Sequence, residues 1–221
     1  MFMQRHDLLR VEPAAWRAML DLHPHLTSLP LVSDWATQGW PVIVRRPMAS
    51  DPSDGTPAAL PLPPIHGKRR VGFSFASQDG LMAAPATRLA DAASAAPPSW
   101  RPVINALVSL GEAIGVPPHV YGALLWAHLT GLDYLTQTSD LDLLWSVPDE
   151  ATAVALLAGL KTLDADSPVR LDGEVVLADG RGVNWRELAN AQTAGGEVLV
   201  KTMAGVATCD VADLFAPASV T

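Results

Sequence analysis

An apolar strand with two carboxylates on one face is the most constraining feature of this sequence. The stretch "QTSDLDLLWSV" (residues 137–147) has the apolar content of a buried strand. Asp140 and Asp142 lie two residues apart within it. Because successive side chains on a strand alternate between its faces, both carboxylates share one face. They repel each other and lose hydration beside apolar neighbours, so this arrangement needs a compensating partner.

A divalent cation would supply that compensation. Mg²⁺ takes oxygen ligands, and two carboxylates can share it. It usually completes its shell with water and substrate phosphates. The pair Asp140 and Asp142 therefore predicts a Mg²⁺ or Mn²⁺ site that acts on a phosphate-bearing substrate. A solvated pair at a strand edge is the alternative interpretation.

Composition bounds the class of protein. The chain has 221 residues, 49% of them hydrophobic and 17% charged, which is typical of a globular protein with one large or two small domains. A net charge of −8 argues against nucleic acid as a partner. The single Cys209 excludes an internal disulfide and a cysteine-based zinc site. We see no apolar signal-peptide core and no run long enough to cross a bilayer, and so expect a soluble cytoplasmic protein without a membrane partner.

The first half of the chain predicts an α+β part, residues 1–90, that binds substrate or partner. An alanine- and proline-rich segment, residues 77–98, marks the expected boundary. Residues 48–67 contain so much proline and glycine that we expect irregular structure there. The regular elements expected in this part are helices over 13–26 and 32–38 and strands over 42–46 and 68–75.

The second half, residues 91–221, predicts an α/β domain with a small mixed sheet and flanking helices. Strands and helices alternate along it, which favours that class of fold. The expected helices cover residues 99–113, 123–130, 149–163 and 185–192, and the last has Asn184 as its N-cap with Glu187 placed for a capping box. The expected strands cover 119–122, 139–147, the region 169–184 with a break at Asp172-Gly173 and a turn at Asp179-Gly180, and a last strand over 196–202.

The order of turn, helix and D-x-D strand resembles the nucleotidyltransferase superfamily. The turn is "YGA" (residues 121–123), and a glycine turn at a helix N-terminus binds phosphate through backbone N–H groups. Gly122 and Ala123 are therefore predicted to contact substrate phosphate, and Ser139, beside the D-x-D pair, is assigned to substrate binding with them. The resemblance implies a third carboxylate from a later strand, which is Asp172 or Glu174 in "VRLDGEVVL". Ala123 departs from the Gly or Ser of the superfamily, and the spacing from the turn to the D-x-D strand is longer than usual.

A narrower resemblance covers nearly the whole chain, from His6 to about Lys201. The chain resembles the malonate decarboxylase holo-acyl-carrier-protein synthases, which are phosphoribosyl-dephospho-CoA transferases. "SDLDLLW" and "VNWREL" are the most specific blocks. The others are "RHDLLRV", "WPVIVRRP", "LPLPPIHGKRRVGFSF", "VYGALLWAHLTGL", "DGEVVLADG" and "VLVKT".

This resemblance implies a definite reaction and partner. A serine on the acyl-carrier subunit of malonate decarboxylase attacks the α-phosphate of 2′-(5″-triphosphoribosyl)-3′-dephospho-CoA, and pyrophosphate leaves. This reaction agrees with what the carboxylate pair itself predicts. Both require a metal, a polyphosphate and an in-line displacement at phosphorus. Asp172 or Glu174 would help to hold the metal or would take the proton of the serine hydroxyl.

Basic residues concentrate in two clusters of the first half. Five of the 15 Lys and Arg residues belong to them, and we expect them to hold the phosphates of the nucleotide: Arg45, Arg46, Lys68, Arg69 and Arg70. Solvated strand ends and contacts with an acidic partner are the alternatives. Lys201, in an apolar strand, either points into the cleft as a substrate contact or reaches solvent.

Two other functions remain open from the sequence. One is a nucleotidyltransferase that uses ATP to modify a small molecule or a protein with AMP through the same carboxylates. The other is a carrier-binding module without catalytic activity, which the departure at Ala123 favours. The D-x-D pair argues against it, because a dead site has no physical reason to keep two repelling carboxylates in an apolar strand.

Overall fold

Strands within residues 3–216, the part of the chain that the computed structural model describes, form one sheet of five strands and one of six. Each sheet belongs to its own compact unit. The first unit comprises residues 3–86 and 126–136, and the second comprises residues 87–125 and 137–216. The mixed α/β class predicted from the sequence is confirmed. Within the described residues, no helix combines the length and apolarity needed to span a membrane.

The first unit is built on an antiparallel sheet in the order β4-β3-β2-β1-β5. Its strands are β1 (Leu8–Val11), β2 (Val42–Val44), β3 (Thr56–Pro61), β4 (Arg70–Phe75) and β5 (Leu81–Ala84). Helix α1 (Pro13–Leu22) buries Trp16, whose ring meets that of Phe73 edge-on at 5.4 Å between centroids. The indole N–H of Trp16 donates to the carbonyl of Val32 at 2.9 Å, so the apolar side chain is buried with its polar atom satisfied.

Several expectations for this unit were wrong for local reasons. The first helix ends at Leu22, and a 3₁₀ turn (Pro24–Ser28) replaces its last turn because Pro24 has no N–H to continue the helix. Residues 32–38 form turns and no helix. The proline-rich segment 48–67 contains strand β3, whose central residues Ala58–Leu60 are fully buried between β2 and β4.

A half-buried ion pair ties the loop after β2 to the sheet. The Arg45 guanidinium donates to both carboxylate oxygens of Asp51, each at 2.6 Å. Asp51 also accepts from the N–H of Met48 at 2.6 Å and from the hydroxyl of Ser74 at 2.7 Å. The hydrogen bond from Arg45, together with the other donors, holds the pKa of Asp51 far below its usual range although burial opposes this.

We expect Asp51→Asn to lower the free energy of unfolding by about 2 kcal/mol at neutral pH, because Arg45 then loses its charged partner. The folded pKa of Asp51 lies below the unfolded one, so this contribution is present above about pH 4 and is lost as the pH falls further. Urea unfolding of both proteins from pH 7 to pH 3 measures the difference. Asp54→Asn, at an exposed position of the same loop, is the matched control. A difference between the proteins that stays constant down to pH 3 would contradict the assignment.

The second unit has a mixed sheet in the order β11-β10-β9-β8-β7-β6. Its strands are β6 (His119–Val120), β7 (Leu141–Ser146), β8 (Leu171–Val176), β9 (Gly182–Asn184), β10 (Glu197–Lys201) and β11 (Val206–Asp210). Its helices are α2 (Leu89–Ala92), α3 (Arg101–Ile114), the start of α4 (Gly122–Thr130), α5 (Glu150–Ala165) and α6 (Trp185–Ala194). Strands β7 and β8 pair in parallel, and α5 makes the crossover that such a pair requires.

The two faces of this sheet differ sharply in character. Leu141, Leu143 and Trp145 of β7 are at most 1% exposed and point to one face, together with the apolar residues of β8, β9 and β10. The alternate residues point to the other face, and they include Asp142, Asp172, Glu174, Asn184 and Lys201. The alternation that predicted strand β7 is thus confirmed, and it assigns the carboxylates to the face opposite the apolar core.

Strand β8 continues through Asp172-Gly173, where we predicted a break. Gly173 has φ of +144°, and a Cβ atom at this position would lie 2.0 Å from the carbonyl oxygen of Leu143 on β7. The glycine therefore permits a close approach of two parallel strands and does not interrupt pairing. Strand β11, which pairs with β10 along its whole length, was also missed by the sequence analysis.

Candidate active site on the second sheet

Parallel pairing brings together two carboxylates that are distant in sequence. Asp142 on β7 and Asp172 on β8 are register partners. Neighbouring strands lie about 4.8 Å apart, and register partners on parallel strands point to the same face. Both side chains are half-buried. Like charges directly opposite each other are destabilising, so the sheet holds two carboxylates in an arrangement that favours binding of a cation.

The glycine turn predicted to contact phosphate lies directly against this pair. Gly122, with φ of +66°, begins α4, and a Cβ atom there would lie 1.9 Å from Oδ2 of Asp142. The N–H of Tyr121 donates to the backbone carbonyl of Asp142 at 3.1 Å. Ala123 follows in the first turn of the helix and is half-buried. The positive end of α4 therefore meets the carboxylate of Asp142.

Asp140 lies just before β7, next to the half-buried Ser139. The Arg170 guanidinium approaches its carboxylate to 3.8 Å, and both side chains are substantially exposed. An exposed pair at this distance contributes little to stability. Arg170 immediately precedes β8, so the ends of the two parallel strands carry opposite charges side by side.

Asp172 has a defined hydrogen-bonding environment. Its Oδ1 accepts from the N–H of Gly173 at 2.8 Å and from the side-chain amide of Asn184 at 2.9 Å. Arg186, in the first turn of α6, is hydrogen-bonded to Asp164 and donates to the carbonyl of Leu171 at 2.9 Å. The hydrogen bond to Asp164 raises the pKa of Arg186, and the charges of Asp164, Asp172 and Asp140 act in the same direction. A fixed cation therefore lies close to the carboxylates.

Glu174 and Lys201, both predicted site residues, contact each other. Lys201 Nζ donates to Glu174 Oε1 at 2.8 Å, and Glu174 is only 4% exposed. The pair lies on the same face as Asp142 and Asp172. Because Glu174 is buried and has a charged partner, the geometry favours Asp172 over Glu174 as the third carboxylate.

The carboxylates fit a Mg²⁺ ion that takes most of its ligands from water and substrate phosphate. In residues 3–216, no three or more His, Cys, Asp and Glu side chains converge as a metal site. Mg²⁺ commonly takes only one or two protein carboxylates and keeps water and phosphate oxygens as its other ligands. Asp142 and Asp172 together meet that requirement. The metal, and the share of Asp140 in binding it, stay predictions.

The basic residues of the first unit have different environments. All five N–H donors of Arg45 are used within the unit, by Asp51 and by the carbonyls of Arg46, Ala58 and Phe73, which favours a structural role over the predicted phosphate contact. The buried Nε of Arg46 has no hydrogen-bond partner within the described residues. The remaining three lie exposed in and beside the loop between β3 and β4: Lys68, Arg69 and Arg70.

Asn184 and Arg186 were not among the predicted site residues. The signal that was available predicted a helix start, and Asn184 does cap α6 by accepting from the N–H groups of Arg186 at 3.0 Å and Glu187 at 3.3 Å. Glu187 does not complete the expected capping box, since its carboxylate accepts from the N–H of Leu199 at 2.7 Å. The contact from Asn184 to Asp172 depends on strand pairing, which the local pattern does not reveal.

Two family models together match most of the chain. The model described as "Phosphoribosyl-dephospho-CoA transferase MdcG C-terminal domain" matches residues 88–212, and the corresponding N-terminal domain model matches residues 4–79. The chain belongs to the phosphoribosyl-dephospho-CoA transferase family. This confirms the resemblance drawn from the sequence blocks.

Curated members of the family are similar over almost their full length. A phosphoribosyl-dephospho-CoA transferase of Bradyrhizobium diazoefficiens is 39% identical over 206 residues, which are 93% of this chain and 89% of that protein. One from Xanthomonas axonopodis pv. citri is 36% identical over 201 residues, 90% of each chain. No solved structure matches the chain. The C-terminal family model contains every predicted site residue of the second sheet, from Gly122 to Lys201.

We expect Gly122→Ala to reduce the transferase activity about a hundredfold, because the new methyl group would displace the carboxylate of Asp142. Gly115→Ala is the matched control, since Gly115 has φ of +72° and open space around its Cα. Both variants introduce backbone strain, but only Gly122→Ala introduces the clash. Initial rates and thermal unfolding of the two variants measure the effect. Equal activities in the two variants would show that the contact with Asp142 is unimportant.

Proposed function

We propose that this protein transfers the phosphoribosyl-dephospho-CoA group from 2′-(5″-triphosphoribosyl)-3′-dephospho-CoA to a serine of the acyl-carrier subunit of malonate decarboxylase. The serine oxygen forms a bond to the α-phosphorus, and the bond from that phosphorus to the bridging oxygen of the β-phosphate breaks. Pyrophosphate leaves, and the carrier acquires its prosthetic group through a phosphodiester. Membership of the phosphoribosyl-dephospho-CoA transferase family supports the transferred group.

The register of Asp142 with Asp172, beside the glycine turn at Gly122, is the observation that carries this proposal. It supports a nucleotidyltransferase-like site, in which a turn and helix precede a D-x-D strand and a neighbouring strand supplies the third carboxylate. In such a site Asp140, Asp142 and Asp172 would hold Mg²⁺ or Mn²⁺. The cation supplies charge neutralisation at the phosphates and orients the α-phosphorus for in-line attack.

The protein's own groups then bind the substrate and move the proton. Backbone N–H groups at Gly122 and Ala123 bind the leaving pyrophosphate, and Ser139, next to Asp140, contacts the substrate with them. Lys201, held by Glu174, is available to a substrate phosphate because its side chain is still 31% exposed. Asp172 takes the proton of the attacking serine hydroxyl, since the carboxylate of Glu174 is already ion-paired with Lys201.

This proposal also assigns phosphate contacts to basic residues of the first unit. Exposed Lys68, Arg69 and Arg70 would hold phosphates of the CoA portion. Arg46 is kept in this proposal as a half-buried guanidinium beside Arg45, although its Nε is buried and has no hydrogen-bond partner within the described residues. Arg45 is left out of the binding surface, since its donors stabilise the loop at Asp51.

We expect transfer to stop in EDTA and to return with Mg²⁺ or Mn²⁺. Asp142→Asn and Asp140→Asn should each lower the rate of transfer at least about a hundredfold, the scale for loss of a preorganised electrostatic contact. Neither should destabilise the fold, because each relieves repulsion between carboxylates. Glu150→Gln, at an exposed position of α5, is the charge-matched control.

Mass spectrometry of the carrier subunit measures this transfer directly. The dinucleotide triphosphate and ATP are supplied side by side, so that an AMP-modified carrier would be recognised by its mass. Full activity in chelator, or modification by ATP alone, would contradict the proposed function.

We expect the triple variant Lys68→Ala/Arg69→Ala/Arg70→Ala to raise the KM for the dinucleotide with little change in kcat, because these residues bind substrate equally in the ground and transition states. Arg10→Ala/Arg17→Ala removes exposed positive charge elsewhere in the same unit and serves as the control. Calorimetry with the dinucleotide alone separates nucleotide binding from carrier docking. Unchanged affinity for the dinucleotide would show that Lys68, Arg69 and Arg70 do not bind the nucleotide, and would assign them to docking of the carrier.

A further inference from the structure

Asn184, on the second sheet, makes hydrogen bonds to which the proposed function assigns no role. It ends β9, where it is the register partner of Glu174, and it caps α6. Its Oδ1 accepts from the backbone N–H groups of Arg186 and Glu187. Its Nδ2 donates to Oδ1 of Asp172 at 2.9 Å. Both ends of the amide are therefore in use.

These contacts fix the orientation of the Asn184 amide. If the group were turned over, its NH₂ would face two backbone N–H donors and its oxygen would face the carboxylate of Asp172. Both contacts would then be repulsive. The observed orientation is thus the only one of the two in which donors meet acceptors.

The amide of Asn184 in turn restricts the carboxylate of Asp172. Oδ1 of Asp172 receives two donors, the amide of Asn184 and the N–H of Gly173 at 2.8 Å. Oδ2 accepts no hydrogen bond from the residues that the structure describes. One oxygen is anchored and the other is left for a ligand.

Helix capping alone does not explain an asparagine here. Ser, Asp and Asn cap helices about equally well, because capping requires only an acceptor oxygen. Asn adds a donor, and in this structure the donor is directed at the register partner of Asp142. The chain caps α5 with Asp149, which accepts from the N–H of Thr152 at 2.8 Å and has no amide to donate.

We infer that Asn184 is a positioning residue that holds the Asp172 carboxylate in the orientation in which Oδ2 would be available to the metal and to the reacting hydroxyl. This inference rests on the proposed function, since it assigns Asp172 to that metal site. Loss of a partner that orients a metal-binding carboxylate typically weakens metal affinity or activity 10–100-fold.

The test compares Asn184→Ser and Asn184→Gly with the wild-type protein. Both replacements are acceptable at a helix N-cap, and both lack the amide that reaches Asp172. Asp149→Ser and Asp149→Gly make the same changes at the cap of α5, away from the carboxylates. Binding of Mn²⁺ alone is followed by the EPR signal of the free ion, and transfer is measured over a range of Mn²⁺ concentrations.

We expect each Asn184 variant to weaken Mn²⁺ binding by about 10–100-fold and to raise the Mn²⁺ concentration for half-maximal transfer in parallel. The Asp149 variants should bind Mn²⁺ as the wild type does, with any change confined to thermal unfolding. Wild-type affinity for Mn²⁺ in a folded Asn184→Ser or Asn184→Gly protein would overturn the inference and leave the proposed function standing. A wild-type protein that binds no Mn²⁺ and transfers fully in EDTA would overturn both.

Discussion

The parallel pairing of β7 with β8 is the constraint on which the second unit depends. It sets two carboxylates, Asp142 and Asp172, directly beside each other, which by itself is unfavourable. The opposite face of the same two strands offsets this cost, because Leu141, Trp145 and Leu171 are completely buried there. The crossover through α5 and the close backbone approach at Gly173 both serve this pairing. An apolar face therefore stabilises a sheet whose other face carries concentrated negative charge.

Positive charge and oriented dipoles surround that carboxylate pair. The N-terminus of α4 meets Asp142 at Gly122, Arg170 approaches Asp140, and Arg186 raises the positive potential near Asp172. Arg186 is itself committed to Asp164 and stacks on the ring of Trp185 at 4.5 Å, so it contributes a fixed field and does not collapse onto the carboxylates. These groups offset only part of the negative charge of the two carboxylates. The pair therefore retains affinity for a cation that is bound to substrate phosphate.

The sequence predicted the elements of the second unit well and their pairing poorly. Alternation identified β7 and the polar face of Asp142, whereas Asp140, which we placed in the same strand, lies just before it. The Asn184 cap identified the start of α6. The sequence did not decide whether Asp172 or Glu174 is the third carboxylate, because residues two apart on one strand share a face whatever the register. Only pairing with β7 on one side and β9 on the other distinguishes the neighbour of Asp142 from the partner of Lys201. In the first unit, Pro57 and Pro61 led us to predict irregular structure where β3 lies. Arg45, which we predicted to bind phosphate, is instead bound by Asp51, and the loop that contains Asp51 has no sequence pattern that would indicate this.

The pair formed by the buried Glu174 and the half-buried Lys201 is better explained by the site than by stability. Burying an ion pair gains little over an apolar pair of similar volume, so stability alone gives no reason to put one beside the carboxylates. A lysine without a partner on β10 would extend into solvent, whereas Glu174 holds Nζ of Lys201 on the face that carries Asp142 and Asp172. Across the strands, that face carries Asp142 on β7, Asp172 and Glu174 on β8, and Lys201 on β10. A metal-bound triphosphate that also needs a direct cationic contact matches this order of charges, and a simple divalent-cation store does not.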